Sequence, residues 1–201
     1  MKSTPARKSR RALGAAAKDR DLVKRQATRG NKSKTVAALP SPAQIILLRR
    51  SFNRLAPQSG IAAMIFYRNL FTLDPSLRSL FHTTIELQGR KFMDSLEYTV
   101  ASLENPRALI PALEAMGRRH VTYGTKPGHY ATLVKALLQT LDECLENEFT
   151  PGVETAWRLA LEFVAEAMQR GAAPVHALTE SGNLPAKSAG KAGGCPLSVR
   201  A

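Results

Sequence analysis

Between residues 41 and 170 the apolar positions recur at intervals of three and four. Ile45, Leu48, Phe52 and Leu55 share one face; Ile61, Met64, Ile65, Tyr67 and Phe71 share a second. Further along, Tyr130, Leu133, Leu137 and Leu141 repeat the pattern, as do Val153, Ala156, Trp157, Ala160, Val164 and Ala167. This is the period of amphipathic helices packing one stripe inward. Strict alternation over a strand's length is absent here, so the spacing predicts an all-α domain. The predicted helices are 42–56, 59–72, a short one at 75–81, 85–104, 106–122, 127–147 and 151–170. Three starts carry their own mechanism: Ser41-Pro42, Asp74-Pro75 and Thr150-Pro151 each place a side-chain acceptor at the N-cap and a proline where a missing N–H costs nothing. Pro111 falls inside the fifth helix and predicts a kink or a restart there.

Composition divides the chain into three. Residues 1–40 hold twelve basic and two acidic residues of a total formal charge of +13, whereas residues 41–201 are nearly balanced. The arm 1–40 has few large apolar residues and no periodic face, so disorder is expected. Its charge suits nucleic acid, an anionic membrane surface or an acidic partner, and it overlaps in composition with organelle transit peptides. Beyond Gly171 the sequence is rich in Gly, Ala, Pro and Ser, and residues 172–201 read as a flexible tail following a folded domain at 41–171. No run of about 18 apolar residues is present to span a bilayer. Cys144 and Cys195 have neither metal-ligand spacing nor the density of a disulfide framework, which fits a reducing cytoplasm.

Polar groups interrupt three of the apolar stripes. Tyr67 shares a face with Met64 and Phe71. In the helix 85–104 the stripe runs Ile85, Gln88, Phe92, Leu96, Leu103, so an amide is set among apolar side chains and needs partners. In the helix 106–122 it runs Leu109, Leu113, Met116 and ends on His120, just before Tyr123-Gly124 break the helix. A lone inward histidine is either a hydrogen-bonded core residue or a ligand. Together with one Tyr and one Gln it offers what an iron porphyrin needs: one strong axial nitrogen, and hydrogen bonders for a diatomic gas at an open position.

From about residue 41 to 170 the sequence resembles the globin family, and within it bacterial single-domain globins and the globin part of flavohaemoglobins. The segments "FYRNLF", "DPSLRSLF", "LQGRKFM", "GRRHVTYGTKPGHY" and "FTPGVETAWRLALEFVAEAM" carry the likeness in order and spacing. The resemblance implies a three-over-three globin fold enclosing haem b, with His120 as the proximal iron ligand and a five-coordinate iron. It implies that Phe81 packs on the porphyrin and that Tyr67 and Gln88 form the distal pair. Phe92 matches a distal packing position usually held by an aliphatic residue, and its ring is expected to narrow the pocket. Tyr130 matches the tyrosine that contacts the proximal histidine. The glutamate completing that proximal network falls in register at Pro174, so the network is expected to be incomplete. Lys91, three residues after Gln88, is placed to reach a haem propionate or to lie solvated, and His82 adjoins the haem edge. His129 and His176 read as surface residues. Cys195-Pro196 is a dipeptide through which some haem-regulated proteins bind haem, although coincidence is the default reading of it in a loose tail.

The leading expectation is therefore reversible binding of O2, and of NO and CO, for oxygen storage, delivery or sensing. An enzymatic alternative is nitric oxide dioxygenation. Residues 172–201 are too few for flavin and nicotinamide domains, so that activity would call for a separate reductase. The third reading is a haem-free regulatory module acting through the basic arm.

Overall fold

The computed structural model describes residues 38–180, all of whose regular structure is helical. The basic arm up to residue 37 and the tail from residue 181, with Cys195-Pro196, lie outside the described residues. The helices are α1 (Pro42–Leu55), α2 (Ser59–Leu73), α3 (Ile85–Ser102), α4 (Pro106–Thr122), α5 (Pro127–Leu145) and α6 (Pro151–Glu180). The short third element, Pro75–Leu80, is a 3₁₀ helix.

The helix starts form as their capping chemistry dictates. Ser41 and Gln44 cap each other, Gln44 N–H donating to Ser41 Oγ at 3.3 Å and Ser41 N–H to Gln44 Oε1 at 2.8 Å. Asp74 Oδ1 accepts from Ser76 N–H at 3.0 Å, and Thr150 Oγ1 from Val153 N–H at 3.4 Å. Thr84 and Asn105 cap α3 and α4 in the same way.

Packing pairs α4 with α6, α2 with both α5 and α3, and α6 with α1 and α5. Trp157 of α6 is the largest fully buried side chain. Its Nε1–H donates to Ser51 Oγ of α1 at 2.9 Å, and the Ser51 hydroxyl in turn donates to the Leu47 carbonyl at 2.8 Å, so the polar groups carried inward are paired. Between α2 and α5, Asn69 Nδ2 reaches Thr140 Oγ1 at 3.3 Å and Glu143 Oε1 at 2.9 Å, while Arg68 pairs with Glu143.

Three expectations are corrected. Ile61 and Met64 are exposed; α2 turns Ala62, Ala63, Phe66, Tyr67 and Leu70 inward instead. The small residues are there for proximity: a Cβ on Gly89 of α3 would stand 2.8 Å from Ala63 Cβ, so the two helices cross where neither has bulk. Pro111 causes no restart, and α4 is continuous through it. The last helix does not end near residue 170 but continues through Pro174 to Glu180, because Gly171 is a packing residue rather than a terminator. A Cβ on Gly171 would lie 2.1 Å from the Glu114 carbonyl oxygen, and one on Gly117 would lie 1.9 Å from that of Met168. Helices α4 and α6 thus touch backbone to backbone at two glycines, a contact that any side chain would prevent.

Candidate functional site

His120 sits in the last turn of α4, three residues beyond Gly117. Its Nδ1 lies 2.9 Å from the Met116 carbonyl oxygen, one turn back. A carbonyl only accepts, so Nδ1 carries the proton and Nε2 keeps its lone pair. Burial lowers the His120 pKa below the ordinary histidine value; the Met116 carbonyl opposes this and the neighbouring Arg119 charge adds to it. The imidazole is therefore held neutral, with one nitrogen fixed and the other available.

The turn after His120 is built by its backbone. Gly124 N–H donates to the Val121 carbonyl at 2.9 Å and Thr125 N–H to the His120 carbonyl at 3.0 Å, with Gly124 at φ 89°. This is the Schellman pattern, which ends a helix and satisfies its last carbonyls. Leu80 packs on the same glycine, its Cδ2 3.2 Å from where a Cβ would stand. The corner preceding Phe81 is thereby brought against the turn following His120. Pro127 then opens α5, and His129 Nδ1 accepts from Lys126 N–H at 3.1 Å. His129 is therefore a half-buried capping residue rather than a free surface group.

Tyr67, Phe81, Gln88 and Phe92 come together from α2, the 81–84 connection and α3. Tyr67 is only 3 % exposed. Its ring meets Phe81 edge-on at 5.3 Å and Phe66 at 5.1 Å, and Phe66 stacks on Phe92 at 4.2 Å. Phe71 completes the cluster, 5.5 Å from Phe81. Burial pushes the Tyr67 hydroxyl far above the ordinary tyrosine pKa, and the Gln88 amide beside it pulls it part of the way back. The phenol thus stays a proton donor. Phe92, expected to narrow a haem pocket, stacks on Phe66 and meets Tyr67 edge-on at 6.4 Å.

The remaining candidates differ in their surroundings. Tyr130 is buried, and its Oη has no hydrogen-bond partner among the described residues; it makes no hydrogen bond with His120, whose Nδ1 is taken by Met116. Lys91 is half-buried on α3 and His82 is exposed. His176, expected on the surface, lies within the extension of α6 with its Nε2 buried and unpaired among the described residues. What sequence reasoning missed here is the Met116 carbonyl, a backbone group that no residue type announces, and Thr83, whose Oγ1 lies 3.0 Å from Gln88 Oε1. A separate groove of about 910 Å³ between α5 and α6 is lined by Tyr130, Val134, Leu138, Phe149 and Arg158 among others, and contains none of His120, Tyr67 and Gln88. No helix among the described residues is long and apolar enough to cross a membrane.

Comparison with known proteins gives consistent results. The family model described as Globin matches residues 65–168. A flavohemoprotein of Vibrio cholerae is 33% identical over 104 residues, covering 50% of this chain and 26% of that protein. The chain thus spans about a quarter of that relative. A neuroglobin of Tetraodon nigroviridis is 28% identical over 139 residues, covering 62% of this chain and 87% of its own length. Among solved structures, an engineered carbene transferase made from a putative nitric oxide dioxygenase of Rhodothermus marinus aligns with a TM-score of 0.63 and 29% identity, covering 70% of this chain and 99% of that one. A hexacoordinated heme protein from an anhydrobiotic tardigrade shares the fold at 18% identity, with a TM-score of 0.61 over 66% of this chain and 95% of its own.

Proposed function

The chain belongs to the globin family, and from that premise we propose that it holds haem b through His120 Nε2 and binds oxygen, NO and CO reversibly, with Tyr67 and Gln88 as the polar groups of the gas pocket. The observation that carries this reading is the bond between His120 Nδ1 and the Met116 carbonyl, which leaves the other ring nitrogen as a donor. Among the described residues no group of three or more His, Cys, Asp or Glu side chains is placed to hold a metal ion. A single imidazole is a sufficient protein ligand when a porphyrin supplies the other four nitrogens, so the donor set fits a haem and not a bare ion.

When bound, the haem supplies an iron with a position open to diatomic gases. The protein's own residues do the rest. Met116 orients the imidazole of His120, and burial keeps it unprotonated and able to donate. Tyr67 keeps its proton and offers it as a hydrogen bond, the rings of Phe81 and Phe92 exclude water from its ring, and the half-buried Gln88 adds an amide beside it. Storage, delivery and sensing all draw on this one binding event.

A second reading, nitric oxide dioxygenation, is supported by the likeness to the putative nitric oxide dioxygenase and by the Tyr67/Gln88 pair. Joining O2 and NO as nitrate consumes one electron per turnover, which a bound haem would supply, so a separate reductase is the partner that this reading requires. The test is the visible spectrum of the purified full chain, reduced and then exposed in turn to O2, CO and NO. The reading predicts a Soret band that moves with each gas. With a reductant of the iron supplied, nitrate formed in many-fold excess over the haem present would favour the enzyme over the carrier. A chain that takes up no haem on reconstitution would overturn both.

A further inference from the structure

We propose that Thr83 is a positioning residue for the gas pocket: its hydroxyl captures the carbonyl oxygen of the Gln88 amide and thereby aims the amide N–H end at Tyr67 and the bound gas. This inference rests on the haem reading above. A glutamine amide has two unlike ends, Oε1 accepting and Nε2 donating, on a flexible stem. Oxygen and NO accept hydrogen bonds once they draw charge from a metal, so only the donor end strengthens their binding. A hydroxyl can donate to Oε1 or accept from Nε2, and in this structure Thr83, on the exposed side of the amide, stands as the donor to Oε1.

The choice is built into the four residues that join the 3₁₀ helix to α3. Phe81 begins them, its N–H donating to the Arg78 carbonyl at 3.2 Å and its ring set against Tyr67. Thr84 ends them, capping α3 with its hydroxyl while its carbonyl accepts the Gln88 N–H at 3.0 Å. Between them Thr83 Oγ1 donates to Gln88 Oε1 at 3.0 Å. Gln88 is thus held by backbone and side chain to one short segment, and that segment also carries Phe81. With Oε1 engaged, the free end of the amide is Nε2. The effect of Gln88 on Tyr67 has the sign of a donor facing the phenol oxygen, since it lowers the phenol pKa. In the opposite orientation Tyr67 would spend its proton on Oε1 instead of on the gas.

The experiment compares the haem-loaded full chain with Thr83→Val, Thr83→Ser and Gln88→Leu. The infrared C–O stretch of the carbon monoxide complex is read alongside the oxygen dissociation rate. Val removes the hydroxyl at nearly constant shape, and Ser restores it. We expect Thr83→Val to split or raise the C–O band toward its position in Gln88→Leu and to speed oxygen release by roughly three- to tenfold, the effect of losing about one hydrogen bond. Thr83→Ser should behave as wild type. A Thr83→Val band and rate identical to wild type while Gln88→Leu shifts both would overturn the proposal, and so would a Gln88→Leu variant that shifts neither. If the chain takes up no haem, the haem reading fails, and the amide orientation is decided by NMR of the Gln88 side chain in the chain as purified. Through-space contact between its Nε2 protons and the Tyr67 ring that is lost only in Thr83→Val supports it; contact unchanged by Thr83→Val, or absent in wild type, overturns it.

Discussion

Two helix crossings position the two halves of the site, and they are made differently. Helices α2 and α3, which carry Tyr67 and Gln88, cross where Gly89 faces the Ala63 methyl, so a side chain separates the backbones. Helices α4 and α6 cross where Gly117 and Gly171 each meet the partner's main chain. His120 lies one turn beyond that contact, its ring tied to a carbonyl and its helix closed by a Schellman turn. The histidine is therefore placed by backbone against backbone, which has two states, fitted or not. The cluster around Tyr67 and Gln88 is placed by rings and one amide, which repack by degrees. One side of the site is built for fixity and the other for adjustment.

The sharpest way to break this contrast is to add the same methyl to each crossing. Gly117→Ala puts a carbon where the Met168 carbonyl stands, and the helices must part. The expected loss is about 3 kcal/mol or more, read as a fall in the urea midpoint, together with weakened haem retention. Gly89→Ala presses only on the Ala63 methyl, and is expected to cost roughly 1–2 kcal/mol with haem retained. Equal losses in the two variants would remove the distinction.

A smaller effect sharpens the account through pH. Burial holds His120 below its ordinary pKa of 6.5. As pH falls, the unfolded chain takes up this proton before the folded one. The corresponding stability is thus complete above the ordinary histidine range and declines as pH drops below it. Urea midpoints of the haem-free full chain between pH 8 and pH 5 should show this decline in wild type and a shallower one in His120→Leu. Parallel curves would mean that His120 is not held neutral by its surroundings.

Much of this was legible before the structure. The caps at Ser41, Asp74 and Thr150 announced their helices because a side-chain acceptor before proline has a local mechanism. The stripe Leu109, Leu113, Met116, His120 located the histidine at the end of its helix. Helix α2 was read wrongly where large apolar residues occur all around it: Ile61 and Met64 looked like core, whereas Ala62 and Ala63 are buried because two backbones must approach. Gly171 looked like an ending because glycine serves helix ends and close crossings alike, and only the facing backbone distinguishes them. Tyr67 and Gln88 stood out as polar groups in apolar stripes, Phe81 emerged by resemblance, and the structure brings the three side chains close to one another. The Met116 carbonyl and the Thr83 hydroxyl act through positions along a turn and a connection, which residue spacing does not encode.

His120 Nε2 is proposed as the atom that holds the haem iron. Its most direct test is His120→Gly, which leaves a cavity where the ring stood, examined by the visible spectrum of the reduced protein before and after adding free imidazole. The account predicts a grossly altered Soret band in the variant and its return toward the wild-type position as imidazole fills the cavity. A variant whose spectrum matches wild type without imidazole would show that another group holds the iron, and the claim would fail.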